Sequence, residues 1–335
     1  MKDVASAAGV SMTTVSLVLN DKAVGIPAET KQRVLDAAAA LGYRPNALAA
    51  NLRTRTSDTI GFVSDTIATT PYAGAMIQGA QDAAWKAGKL ILTINTNGDP
   101  AVEAYALNAL LGRQVEGIVY AAMYHQMIEV PAAAKEVPLV LLDARSADSE
   151  IPSVVPDERG GAYEATSHLI SHGHKRIGFL KNTASVPAAN ERLEGYREAL
   201  EANAIAFDGE LVVAGDSGLA GGYAAAMALL VEPHRPTGLF CFNDAMAAGA
   251  ARAAHELNLR IPDDLSLVGF DNLELVAPFT NPPLTTMQLP HYEMGVWAVE
   301  QLINRIDGED FSVFHQRMQC PLVERASVGP PPTRT

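Results

Sequence analysis

Cysteine is nearly absent: Cys241 and Cys320 are the two in 335 residues. Far apart in sequence, they form no CxxC pair, which excludes a disulfide framework and a cysteine-based zinc or redox motif. Their expected state is buried and reduced. Long apolar runs are also missing, so no membrane span is expected. The opening residues, Met1-Lys2-Asp3-Val4-Ala5, lack the apolar core of a signal peptide. A soluble, cytoplasmic protein is expected. Walker A, GxSxG, HExxH and a GxGxxG after a first strand are all absent, so no catalytic residue, cofactor or enzymatic activity is expected. Basic side chains are in deficit, with 25 Lys and Arg against 38 Asp and Glu, a net charge of −13. Taken whole, that argues against a nucleic-acid partner, whose phosphates call for a basic surface. What is present is ordinary for a globular chain: 48% apolar and 19% charged residues. The length suggests about two domains.

The charge is unevenly spread. Residues 1–60 carry seven basic and five acidic side chains, a net +2, and the remainder carries −15. A mildly basic head therefore precedes an acidic body.

In the head, Val4, Ala5 and Ala8 recur at helical spacing until Gly9 breaks the pattern. Ser11 then stands as an N-cap, and Val15, Val18 and Leu19 form a second apolar face. Two short helices around a glycine turn make a helix-turn-helix, or a generic helical hairpin. Met12, Thr13, Ser16 and Leu17 face outward at the start of the second helix, where base edges are reached. A third helix has Val34, Leu35, Ala38 and Leu41 as its expected core stripe, with Gly42 after its end. The segment 46–53, NALAANLR, is too short to hold as a helix alone in water and should order against a partner.

The words DVASAAGVS, TTVSLVLN, LGYRPN, LAANLR and SDTIG, in that order, resemble the N-terminal region of the LacI/GalR family of bacterial transcription repressors. The resemblance implies a DNA interface of Ser11, Met12, Thr13, Thr14, Ser16, Leu17, Asn20, Asn46, Ala49, Leu52 and Arg53. Met12, Thr13 and Leu17 would read the major groove. Leu52 would be an apolar wedge in the central minor-groove step, which bends the duplex at a cost of a few kcal/mol. Two protomers are then required, and the double-stranded operator should be near-palindromic. Two departures stand out. Position 17 in relatives is often Arg or His, whereas Leu17 offers only apolar contact, for instance to a thymine methyl. Relatives also carry a capping Ser or Thr before the first helix. Here the chain starts at Met1, so the cap is missing at a cost of about 1 kcal/mol, which a start codon assigned too far downstream would explain.

From Thr59 onward, short apolar runs alternate with Ala-rich amphipathic stretches. Strands are predicted at 59–63, 90–95, 117–121, 139–142, 176–180, 238–242 and 266–269. Helices are predicted at 74–86, 102–111, 160–171, 189–202, 219–230, 244–257 and 292–306. Such alternation predicts parallel sheets flanked by helices. The fold class is α/β: a small all-α helix-turn-helix head followed by two doubly wound parallel-sheet lobes. The words VPLVLLD, HLISHGHKRIGFL, NERLEGYREAL, RPTGLFCFND and LSLVGFDN resemble the same family's effector-binding core, which is similar to periplasmic sugar-binding proteins. The expected parts are a head at 1–45, a hinge helix and linker at 46–58, an N-terminal lobe at 59–156 plus 284–316, a C-terminal lobe at 157–283 plus 317–329, and a disordered tail at 330–335.

Ligands of open α/β sheets bind beyond the carboxyl ends of the strands. The residues there are Asp143, Asn243, Asp244 and Asp271, with Arg192 on a following helix. Carboxylates and an Arg fork suit the vicinal hydroxyls of a sugar, although Asp244 and Asp271 could equally be helix caps. The resemblance adds Tyr72 as an aromatic lid and Arg145 and Asp157 at the cleft mouth. The effector set is Tyr72, Asp143, Arg145, Arg192, Asn243 and Asp271. His168, His172 and His174 are read as structural, with no metal site, because no third ligand stands nearby in sequence. The implied function is a homodimeric, possibly higher-order, repressor of sugar-utilisation genes at the nucleoid, controlled by a small sugar-like effector between its lobes. Alternatives are a purine- or nucleoside-responsive, co-repressed regulator and a sugar-binding protein without a DNA role.

Overall fold

A computed structural model describes residues 1–19, 23–43, 57–66, 74–308 and 315–332. The chain divides into two compact units, Met1–Ser57 and Asp58–Thr335. The expected hinge helix, 46–53, lies outside the described residues.

The head holds α1 (Lys2–Ala8), α2 (Met12–Leu19) and α3 (Ala28–Ala40). Gly9 takes the left-handed conformation (φ 66°) that ends α1, and no side chain caps the start of that helix. Val4, Ala5, Ala8, Val15, Val18, Ala23, Val34 and Ala38 pack into one small core. Leu35 and Leu41, expected in that stripe, are exposed instead. A three-helix head needs only one narrow stripe of α3, and Val34 and Ala38 fill it.

The larger unit contains two sheets. The first runs β1 (Thr59–Ser64), α4 (Gly74–Lys86), β2 (Leu90–Asn95), α5 (Pro100–Leu111), β3 (Gly117–Met127), β4 (Leu139–Arg145) and β5 (Ser153–Pro156). The chain then builds the second with α6 (Glu158–Ser171), β6 (Ile177–Asn182), α7 (Pro187–Ala202), β7 (Val212–Gly215), α8 (Leu219–Leu230), β8 (Gly238–Cys241), α9 (Asp244–Glu256), β9 (Ser266–Asp271) and β10 (Thr285–Gln288). It returns through α10 (His291–Ile306) and β11 (His315–Met318), and crosses once more to β12 (Leu322–Val323). Among the described residues the strand orders are β11-β5-β4-β3-β1-β2 and β12-β10-β9-β8-β6-β7. Every pairing is parallel except β10 with β12. Helices cover both faces of such sheets, which is why the run 139–142 is apolar without alternation and fully buried.

The second and third lobe boundaries shift from those expected. Residues 153–156 form a strand of the first sheet, and 285–288 form a strand of the second rather than the start of the returning segment. The return therefore falls at Leu289–Pro290, and the last crossing falls after Met318. The tail also differs. Gly329 is buried, its N–H donating to Ser266 Oγ (3.0 Å) and its carbonyl lying 2.9 Å from His174 Nε2. Pro331 rests against Gly173. Pro331 and Pro332 are thus half-buried while Pro330 is exposed, and residues 333–335 lie outside the described residues.

One close approach matters for the cleft. Gly195 of α7 lies so near α6 that a Cβ there would sit 2.2 Å from the Arg159 carbonyl. Its lack of a side chain lets α7 press on α6, and that contact delivers Arg192 to Glu158.

Candidate functional site

In the head, Ser11 Oγ accepts the Thr14 N–H at 3.1 Å and contacts Thr14 Oγ1 at 2.9 Å. Ser11 is thus the expected cap, and its hydroxyl is engaged in starting α2. With Val15 and Val18 inward, Met12, Thr13 and Leu17 lie on the exposed side, and Thr14 and Ser16 are half-buried. Met12 (54% exposed) and Leu17 (38%) are unusually open for their size, a surface suited to an apolar partner such as a thymine methyl. Asn20, Asn46, Ala49, Leu52 and Arg53 lie outside the described residues.

In the larger unit, a cleft opens beyond the carboxyl ends of both sheets. The first lobe contributes Met76, Met123, Tyr124, Asp143 and Pro156 to it. The second contributes Glu158, Arg192, Phe242, Asn243 and Asp271, and Leu289 and His291 come from the return. Met123 and Tyr124 reach it because β3 breaks register between Ala121 and Gln126. Asp65 holds this irregular stretch by accepting the Met123 N–H at 2.9 and 3.0 Å, and Tyr124 sits at φ 62°.

Arg192 is the fixed point of the cleft. Its Nε donates to Glu158 Oε2 at 2.5 Å and its Nη1 to the Phe242 carbonyl, and Asp271 Oδ1 stands 3.7 Å from Nη1. The guanidinium lies 3.7 Å from the Phe270 ring centroid and 4.3 Å from that of Phe242. Burial works against its charge, but Glu158 and Asp271 outweigh burial and hold its pKa above the ordinary value. These commitments leave Nη2 to meet a ligand.

Burial pushes the Asp143 carboxyl well above the usual range, Glu158 adds to this, and Arg192 opposes it. Its Oδ1 is buried without a hydrogen-bond partner among the described residues. Asp271 is raised in the same way by burial, again against Arg192. Both sit at positive φ, 54° for Asp143 within β4 and 107° for Asp271, the last residue of β9.

Of the sequence-derived effector set, Asp143, Arg192, Asn243 and Asp271 come together. Asn243 is committed elsewhere, however: Oδ1 accepts the Met246 N–H and Nδ2 donates to the Ser217 carbonyl, both at 2.8 Å. Arg145 is not among the lining residues. It is half-buried near His125, Glu191 and Arg317. Asp157 caps α6 by accepting the Gly160 N–H at 3.1 Å. Asp244 is neither ligand nor cap of its own helix. Fully buried, it accepts the Leu273 N–H (2.7 Å) and the Thr286 hydroxyl (2.5 Å), pinning the turn after β9. Tyr72 lies outside the described residues. Glu158 was missed from sequence; recognising 153–156 as a strand would have placed it just past a strand end.

Residues 1–46 match the family described as "Bacterial regulatory proteins, lacI family", and residues 57–326 match "Periplasmic binding proteins and sugar binding domain of LacI family". The chain belongs to the LacI family. It is a DNA-binding transcriptional repressor of that family and not an enzyme. Among curated relatives, the HTH-type transcriptional repressor PurR of Aliivibrio fischeri is 34% identical, with 98% of each chain covered. Among solved structures, the lac repressor dimer bound to operator and the anti-inducer ONPF is 30% identical, with a TM-score of 0.82 and 98% of each chain covered. A complex of the regulator CelR with cellobiose is 28% identical, with a TM-score of 0.71, covering 97% of this chain and 98% of that one. Repressors of this family bind operator DNA and small-molecule effectors and act as dimers. Among the described residues no helix is long and apolar enough to cross a membrane.

Proposed function

We propose that the cleft binds a neutral, hydroxyl-rich molecule, a sugar or sugar derivative, and that this ligand lowers operator affinity. The observation that carries the reading is Asp143 Oδ1, a buried acceptor with no donor among the described residues. Leaving such an atom unmet is costly, and a ligand hydroxyl meets it. Asp143, Glu158 and Asp271 confront the single guanidinium of Arg192, a balance that disfavours phosphorylated ligands. Phe242, Tyr124 and Met76 supply the apolar wall that a sugar ring face needs.

Met12, Thr13 and Leu17 read the operator, supported by Thr14 and Ser16, and Leu52 wedges its centre. A head of net charge +2 holds DNA weakly alone, so tight binding needs two heads on a near-palindromic site. The exposed Trp85, Leu275 and Phe279 are candidates for burial against the second protomer. The site of action is the cytoplasm, at the nucleoid. Effector affinity that differs between two lobe arrangements supplies the coupling to DNA.

The name of the PurR relatives favours a second reading, a purine as co-repressor. Calorimetric titration with sugars, purine bases and nucleosides separates the two. Sugar binding that weakens operator affinity supports the first. Purine binding that strengthens it replaces the first with the second.

A further inference from the structure

We propose that His168, His172 and Glu324 form a site for a divalent transition-metal ion of the zinc class. His168 lies in the last turn of α6 and His172 is the residue that closes it, four positions on and on the same face. Their rings meet edge-on, with centroids 4.6 Å apart. The third group arrives from 152 positions away in sequence: Glu324 directly follows β12, which packs beside α6. A ring nitrogen of each histidine and a carboxylate oxygen of Glu324 lie within 4.8 Å of one another.

The hydrogen bonding prepares the nitrogens for a metal. His172 Nδ1 is 2.9 Å from the His168 carbonyl oxygen, which can only accept, so Nδ1 carries the proton and Nε2 keeps its lone pair. A carbonyl holding the far nitrogen of a ligating imidazole is the usual support in metal sites. His168 Nε2 is buried and has no hydrogen-bond partner among the described residues, although Glu324 is close by. A closed His–Glu hydrogen bond would have satisfied that nitrogen; an ion between the three groups satisfies all of them.

Bonds of about 2.0–2.2 Å to zinc require donor atoms roughly 3.3 Å apart in a tetrahedron. Rotation of Glu324, which is exposed, and of His172, which is half-exposed, closes the remaining distance. Two imidazoles and a carboxylate leave a fourth position for water, and this donor set suits zinc rather than calcium or magnesium. Bound there, the ion ties the end of α6 to the segment that follows the last crossing, and so braces the second lobe.

The test uses the untagged full chain, stripped with a chelator and titrated with zinc chloride alone by calorimetry and thermal unfolding. The expected result is one ion per chain and a raised unfolding midpoint. His172→Ala and Glu324→Gln should each weaken binding about tenfold or more. Their metal-free unfolding midpoints should match that of the parent, since neither side chain is in the core. Should His172→Ala fail to fold, Glu324→Gln gives the same reading from an exposed position. No zinc binding by the parent, or equal affinity in the folded variants, overturns the proposal.

Discussion

Arg317 of β11 and Glu191 of α7 form a two-bond bridge, Nη1 to Oε2 at 2.6 Å and Nη2 to Oε1 at 2.9 Å. It joins the sheet of one lobe to a helix of the other. Arg317 raises its own pKa by this pairing, and that of Glu191 falls even though burial pushes it upward. The bridge is partly exposed, so it contributes at most about 1 kcal/mol. Glu191→Gln should therefore move the effector concentration for half-response upward by about two- to fivefold. Operator affinity without effector should change little. A titration of operator binding against effector gives both numbers, and an unmoved half-response would remove the bridge from the switching account.

Asp244 gives the second lobe a pH-dependent stability. Burial raises its pKa from 3.8 to about 7, against its bonds from Thr286 and Leu273. The folded state then binds the proton better than the unfolded state does. The Asp244 contribution is thus greatest at low pH and declines as pH rises from about 4 to about 7, after which it is constant. Asp244→Asn should flatten the fall of the unfolding midpoint across that window. A slope identical to that of the parent would show that Asp244 is not its source.

Leu17 and Val15 lie two positions apart on α2 with opposite burdens. Val15 is wholly buried and Leu17 is exposed, so Leu17→Ala should leave the head folded and cost about 1 kcal/mol in operator binding, roughly fivefold. Leu17→Arg should shift the preferred outer base toward guanine, whose O6 and N7 match a guanidinium. Val15→Ala should instead lower the stability of the head. Binding to a randomised operator library, read alongside thermal unfolding of each variant, checks all three. A base preference unaltered at every position by Leu17→Arg would take Leu17 out of the groove.

Much of this was legible in the sequence, because parallel-sheet strands are apolar on both faces and stand out as runs. The run 139–142 and the words that carry Asp143, Asn243 and Asp271 put strand ends and their polar residues where the cleft lies. Short strands have no such signature. β7, β10 and β12 have two to four residues and half-polar neighbours, so β10 was assigned to a segment returning to the first lobe. Glu158 was hidden for the same reason: the strand before it reads as a linker. Leu35 and Leu41 mislead because periodicity marks an apolar face without saying how much of it a small head can cover. Glu324 had no local signal, since only the fold brings it beside His168 and His172.

The central claim, that the ligand in the cleft controls DNA binding, is best tested at Asp143. Asn keeps the shape and tolerates the left-handed backbone there (φ 54°), so Asp143→Asn should fold, whereas Arg192→Ala would strand Glu158 as an unpaired buried charge. The measurement is operator affinity by fluorescence anisotropy, with and without a saturating sugar effector, for the parent and Asp143→Asn. The account predicts equal operator affinity without effector and a response of at least about tenfold in the parent, lost in the variant. An undiminished response in Asp143→Asn at the same effector concentrations would contradict it.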